Sequence, residues 1–249
     1  MRRPPARQKE IVFTPHGGKR RGAGRKPTGE RPGVLHAARP ILSGREPVLV
    51  TLKVAKHVSN LRTRRAFDRI VPAFFAARER RGIRLAQFSV QHDHIHMIIE
   101  ADDRTALSRG VQGLSVRIAR ALNRMMARSG KVFADRFHDR VLSTPRQIRV
   151  ALAYVLCNAR KHCRAPRDPG WLDPYSSARA FDGWRGVARD ALTDLAPVAL
   201  PRTWLLAIGW RPGGLIDPDH CPGAMPGMTA SDGRRARPGW LPARFLVRP

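Results

Sequence analysis

His94-Ile95-His96 lies in FSVQHDHIHMIIE, a stretch with the composition of a strand and a short turn before it. Strand side chains alternate with period 2, so both imidazoles project to the same face. Two neutral imidazole nitrogens held together can grip one divalent ion, provided other groups fix their tautomers. Two exposed histidines on a half-solvated strand would show the same spacing, and a bare His-x-His leaves both readings open. His92 and Asp93 add ligand-type side chains beside the pair or serve only as turn residues. Tyr154 is the second candidate, and the one tyrosine inside a strong helical pattern. It shares a helix side with Asn158, four residues on. A phenol, with an ordinary pKa of about 10, is a poor nucleophile near neutrality. A metal that polarises a scissile phosphate, with positive charge to stabilise the phenolate, would make it usable. Asn158 fits a metal ligand through its amide oxygen or a local hydrogen bond, and Tyr154 fits a nucleophile or a half-buried packing residue.

The elements that must position these groups read as follows. Residues 48–54 (VLVTLKV) have strand composition. Ser59 or Asn60 can cap a helix to about residue 81, with Phe67, Ile70, Val71, Phe74 and Phe75 inward, Gly82 as its end, and Pro72 imposing a kink or a late start. Residues 85–90 and 94–100 form an antiparallel pair around a turn at 91–93. A long helix over 105–128 carries Leu107, Val111, Leu114, Ile118, Leu122 and Met125 at helical spacing, and Gly130 stops it. A short strand falls within 133–142. Thr144 and Pro145 then open a helix to about residue 162 with Ile148, Leu152 and Val155 inward. Such a helix can pack one face on the sheet and present Tyr154 over the strand of His94 and His96. The hydroxyl is therefore expected on that side of the sheet, within roughly 10 Å, since an unliganded site can be loose. The order β-α-β-β-α-β-α predicts an α+β fold, an antiparallel sheet with packed helices of the ferredoxin-like kind.

Charge narrows the partner. The chain has 249 residues and a formal net charge of +28. That excess implies a polyanion, most simply nucleic acid. No apolar run approaches the roughly 20 residues that span a bilayer, and no secretory h-region follows the basic start, so no membrane partner is expected. Three cysteines without CxxC spacing fit a reducing cytoplasm rather than a disulfide framework. Residues 1–45 hold twelve basic and two acidic residues with no apolar period, and read as a disordered basic arm. Within it, GGKRRGAGRKP resembles the AT-hook, whose extended arginines enter the minor groove. Arg20, Arg21, Arg25 and Lys26 would insert in that way or tether electrostatically. Arg117, Arg120 and Arg124 occupy other angles of the long helix, where they would hold a nucleic-acid backbone or form a solvated face. Residues 166–249 are Pro- and Trp-rich, with short helices fitting 177–195 and 203–209. Tyr175, 21 residues after Tyr154 in a Pro-flanked segment, reads as packing.

Residues 46–165 read as the folded domain, and within it 48–162 resemble the single-tyrosine HUH transposases, above all the REP-associated tyrosine transposases and their insertion-sequence relatives. His94-Ile95-His96 followed by Met97-Ile98-Ile99 matches the family's His-hydrophobe-His strand. Tyr154-Val155-Leu156-Cys157-Asn158 matches its Tyr with Asn four positions on. Gly130-Lys131-Val132-Phe133 and Arg136-Phe137-His138-Asp139 match two further elements. The chain departs from the family at Gln91-His92-Asp93, often Met-Pro-Asn, and at Ala159, often Pro. The resemblance implies Mg²⁺ or Mn²⁺ held by His94, His96 and a third side chain such as Asn158. It implies attack by Tyr154 on single-stranded or hairpin DNA, a 5′-phosphotyrosine link and a free 3′-OH. Nucleoid-associated cytoplasmic location is expected, and a homodimer is left open. A catalytically silent basic nucleic-acid-binding protein, or a metal-dependent phosphodiesterase with an incidental Tyr154, are the competing functions. His138 and Asp139 either lie near the site or shape a turn. The role of 166–249 is not given by the resemblance.

Overall fold

The computed structural model describes residues 41–80, 82–162, 168–187 and 197–223. The basic arm with Arg20, Arg21, Arg25 and Lys26 lies outside them, as do Cys163 and residues 188–195. Among the described residues no helix is long and apolar enough to cross a membrane.

Eight elements follow in chain order: β1 (Val48–Lys53), α1 (Arg64–Ala77), β2 (Glu79–Arg80), β3 (Ile83–Val90), β4 (His94–Ala101), α2 (Arg104–Met125), β5 (His138–Val141) and α3 (Pro145–His162). The strands form one antiparallel sheet in the order β2-β3-β4-β1-β5. The α+β plan is therefore as expected, with β2 as an addition.

Alternation sorts the strand side chains into two cores. Val48, Val50, Leu52, Ile95, Met97 and Ile99 pack with α1 and α2 on one face. Leu49 and Ile98 pack with Leu152, Val155 and Leu156 of α3 on the other. The result is three layers, with α3 on the face that carries the even-numbered residues of β4.

Helix ends follow side-chain caps. Asp103 accepts from the Ala106 amide at 2.7 Å and starts α2. Thr144 accepts from the Gln147 amide at 3.2 Å, while Gln147 accepts from the Ser143 amide at 2.8 Å. This reciprocal cap starts α3 where Thr144-Pro145 predicted. Four expectations need correction. Thr63, not Ser59 or Asn60, caps α1, because the preceding loop is held down through the Leu61 amide on the His92 carbonyl. The buried stripe of α1 is Ala66, Ile70, Ala73, Phe74 and Ala77, whereas Phe75 is 47% exposed. Phe75 and Val71 sit about 100° around the helix from Phe74 and Ile70, and so off the stripe. α1 also ends at Ala77, since Glu79–Arg80 turn back to pair with β3. Gly82 makes that turn at φ +76°, where an added Cβ would lie 2.9 Å from Ala106 Cβ. Likewise α2 ends at Met125 rather than near Gly130, with Ala127 taking φ +50°.

The described part of 166–249 packs on this domain. Backbone bonds join Val90 to Tyr175, Ser177 to Phe88 and Ala199 to Leu85. These cover most of the β3 edge that two-residue β2 leaves open. Asp173, with its side chain 1% exposed, takes both prongs of the Arg62 guanidinium at 2.9 Å. Buried Glu100 accepts from the Arg202 and Thr203 amides and the Thr203 hydroxyl. Trp210 and Phe181 stack beside α3, with centroids 5.6 Å apart. Of the helices expected over 177–195, only a 3-10 turn at Ala178–Ala180 is present among the described residues. Leu205–Gly209 is a π-helical turn.

Candidate active site

Register places the candidate residues. His96 on β4 lies opposite Thr51 on β1 and Ser89 on β3, and His94 lies opposite Lys53. Directly paired residues share a face, so this polar row lines the side of the sheet under α3. His96 is 1% exposed. Its Nδ1 lies 2.9 Å from the Thr51 hydroxyl, and its Nε2 3.2 Å from the Tyr154 hydroxyl. The rings of His94 and His96 meet edge-on at 4.5 Å, and those of His96 and Tyr154 at 4.9 Å. The structure thus brings His94, His96 and Tyr154 together, with the phenol far inside the distance expected.

Each imidazole is oriented from its Nδ1 side. Asp93 Oδ1 lies 2.7 Å from His94 Nδ1. That hydrogen bond, aided by the charges of His94 and Lys53, holds the Asp93 carboxyl down at about 2 despite partial burial. An ionised Asp93 accepts from the Nδ1–H of His94; the neutral form of that ring carries its lone pair on Nε2. The Thr51 hydroxyl can accept from His96 Nδ1–H in the same sense. A carboxylate behind a histidine is a common way of fixing a metal-binding imidazole, and the Thr51 hydroxyl occupies the same position on His96. Asp93 is therefore more than a turn residue. Thr51 and Ser89 carried no motif; their only sequence signal was a polar side chain on the face shared with the histidines. Buried Gln91 donates to Ser89 Oγ at 2.6 Å and continues the polar row.

α3 supplies the rest. Ile148, Leu152 and Val155 seat it on the sheet as expected, together with Leu156 and Ala159. Tyr154 faces His96. Burial pushes its hydroxyl above the ordinary tyrosine value, so it is protonated near neutrality. Asn158, one turn on, is fully buried, and neither its amide oxygen nor its amide nitrogen has a hydrogen-bond partner. A buried polar amide without a partner calls for an explanation, and two imidazole nitrogens with an amide oxygen make a mixed nitrogen–oxygen set of a kind that divalent metals take. Among the described residues no three His, Cys, Asp or Glu side chains come together as a metal site; this set has two histidines and an amide. Cys157 points away, its thiol 3.8 Å from the Asp217 carbonyl and pushed up to about 12 by burial.

Arg117, Arg120 and Arg124 are not part of this constellation. They ride on α2, in the layer across the sheet from α3, with Arg117 bonded to the Gly113 carbonyl at 3.0 Å. Asp139 also faces that layer, paired with Arg104. Tyr175 packs edge-on against Phe67 at 5.1 Å under the Arg62 guanidinium.

Nothing among the curated proteins matches this chain. A solved structure of a REP-associated tyrosine transposase bound to a REP hairpin is similar at 17% identity and a TM-score of 0.47, over 57% of this chain and 82% of that one. Residues 51–155, which run from the Thr51 row of the sheet to just past Tyr154, match the family model described as Transposase IS200 like.

Proposed function

We propose that the protein nicks and rejoins single-stranded or hairpin DNA through a 5′-phosphotyrosine intermediate on Tyr154. The single observation that carries this reading is the Tyr154 hydroxyl 3.2 Å from Nε2 of buried His96. A packing tyrosine would bury its oxygen against any available acceptor. Here it meets a histidine whose other nitrogen is held by a hydroxyl. His94, His96 and Asn158 would hold Mg²⁺ or Mn²⁺. When bound, such a cation polarises a phosphate oxygen and lowers the cost of phenolate formation. Asp93 and Thr51 keep the imidazoles aimed, and α3 holds the phenol against the sheet; a cation on His96 Nε2 would take the place of the Tyr154 hydrogen bond and free that oxygen to attack. The bond to the 3′-oxygen is exchanged for one to the tyrosine oxygen, so strands can be rejoined without a nucleotide cofactor.

The histidines and the tyrosine belong to one chain, which supports a site complete in each protomer and makes a homodimer unnecessary for chemistry. Arg117, Arg120 and Arg124 would contact nucleic acid flanking the nick, and Arg20, Arg21, Arg25 and Lys26 would tether it. Nucleoid association would follow from that binding.

The test is a single-stranded hairpin oligonucleotide incubated with Mn²⁺ and resolved on a denaturing gel. A covalent adduct is expected with the wild type and none with Tyr154→Phe. Cleavage without an adduct would favour the phosphodiesterase, and binding alone the silent nucleic-acid-binding protein.

A further inference from the structure

The polar row under α3 does not end at Thr51. β5 pairs with β1 so that His138 lies directly opposite Thr51, which itself lies opposite His96. His138 therefore shares the face of the candidate site, two strands from His96, or about 10 Å across the sheet. Its neighbours confirm the sidedness. Asp139 reaches Arg104 of α2, and Phe137 and Val141 pack into the α1/α2 core, all on the opposite face. Within β5 the side chains that remain for the α3 face are His138 and Arg140. His138 is exposed, on a strand whose outer edge is not paired among the described residues.

Position gives this histidine a direction as well as a face. α3 packs over β3 and β4 and brings Tyr154 in from that side. In-line displacement at phosphorus puts the attacking and leaving oxygens on opposite sides. A phosphate seated over the histidine pair and attacked from above β3 and β4 expels its 3′-oxygen toward β1 and β5. We propose that His138 is a catalytic residue, the general acid that protonates the leaving 3′-oxygen. The inference rests on the Tyr154 reading. In the forward step the Tyr154 oxygen–phosphorus bond forms and the phosphorus–O3′ bond breaks. The His138 imidazolium gives its proton to O3′, and the tyrosine proton passes to solvent. In rejoining, neutral His138 takes the proton from the attacking 3′-OH.

The test pairs His138→Gln with two substrates, the normal hairpin and one carrying sulfur in place of the bridging 3′-oxygen at the nick. A thiolate departs without protonation. His138→Gln should slow adduct formation on the oxygen substrate by about 10²-fold or more. On the sulfur substrate it should run within a few-fold of wild type, with an unchanged Tm because the side chain is exposed. Equal loss on both substrates, or no loss on the oxygen substrate, would overturn the assignment. A wild type that forms no Tyr154 adduct on either substrate would sink the tyrosine reading, and this inference with it.

Discussion

Thr51→Val tests whether the row behind the histidines aims His96. The swap keeps shape but replaces with a methyl the hydroxyl that lies 2.9 Å from His96 Nδ1. With His96 only 1% exposed, water cannot take that place. Leaving a buried ring nitrogen without this partner costs about 1–3 kcal/mol. The added apolar surface on half-buried Thr51 returns at most about 0.8 kcal/mol. A net loss of about 1–2 kcal/mol corresponds, for a chain of this size, to a Tm lower by roughly 2–8 °C. The same change should weaken Mn²⁺ binding by about 10- to 100-fold, the usual effect of removing the group that orients a histidine ligand. Scanning calorimetry in chelator reads the first effect, and free Mn²⁺ by electron paramagnetic resonance reads the second. Thr51→Ser keeps the hydroxyl and should restore affinity to within a few-fold. If Thr51→Val matches wild type in both Tm and Mn²⁺ affinity, the hydroxyl does not aim the imidazole. A wild type that leaves all Mn²⁺ free would refute the cation site itself.

Further outcomes follow from other contacts. Asn158→Leu removes a buried amide that makes no hydrogen bond; it should raise Tm in chelator, by up to about 1–3 kcal/mol of stability, and abolish Mn²⁺ affinity. A lower Tm with unchanged affinity would show that the amide is structural. Asp173→Ala strips the partner from Arg62 and should cost about 2–4 kcal/mol, with new protease cuts in 168–187 before the domain melts; unchanged proteolysis would mean the segment is held elsewhere. Burial raises the Tyr154 hydroxyl, so adduct formation measured in Mg²⁺ should accelerate with rising pH, approaching tenfold per unit below that value. Because the folded value lies above the unfolded one, the associated stability is intact below about pH 10 and lost above it. Tyr154→Phe should remove that alkaline loss, as followed by Tm against pH.

Much of this was legible in local pattern. Period 2 put His94 and His96 on one face whatever the sheet order. Thr144-Pro145 set the start of α3, and four-residue spacing put Asn158 on the side of Tyr154. Where local signals competed, packing chose: Thr63 over Ser59 or Asn60 as the cap of α1, and Phe74 rather than Phe75 as its inward ring. The pairing of β2 with β3 could not be read from Glu79–Arg80, since a two-residue strand has no period.

What a residue has beside it one or two strands away is a matter of register, which depends on which strands pair and where the bulge at Leu85/Gln87 falls. Hence Thr51 behind His96, His138 at the far end of the row, and α2 with its arginines on the far face all come from the assembled sheet. Periodicity along one chain segment determines which side a residue faces. Only the packing of distant segments, 58 residues apart for Tyr154 and His96, determines what it faces.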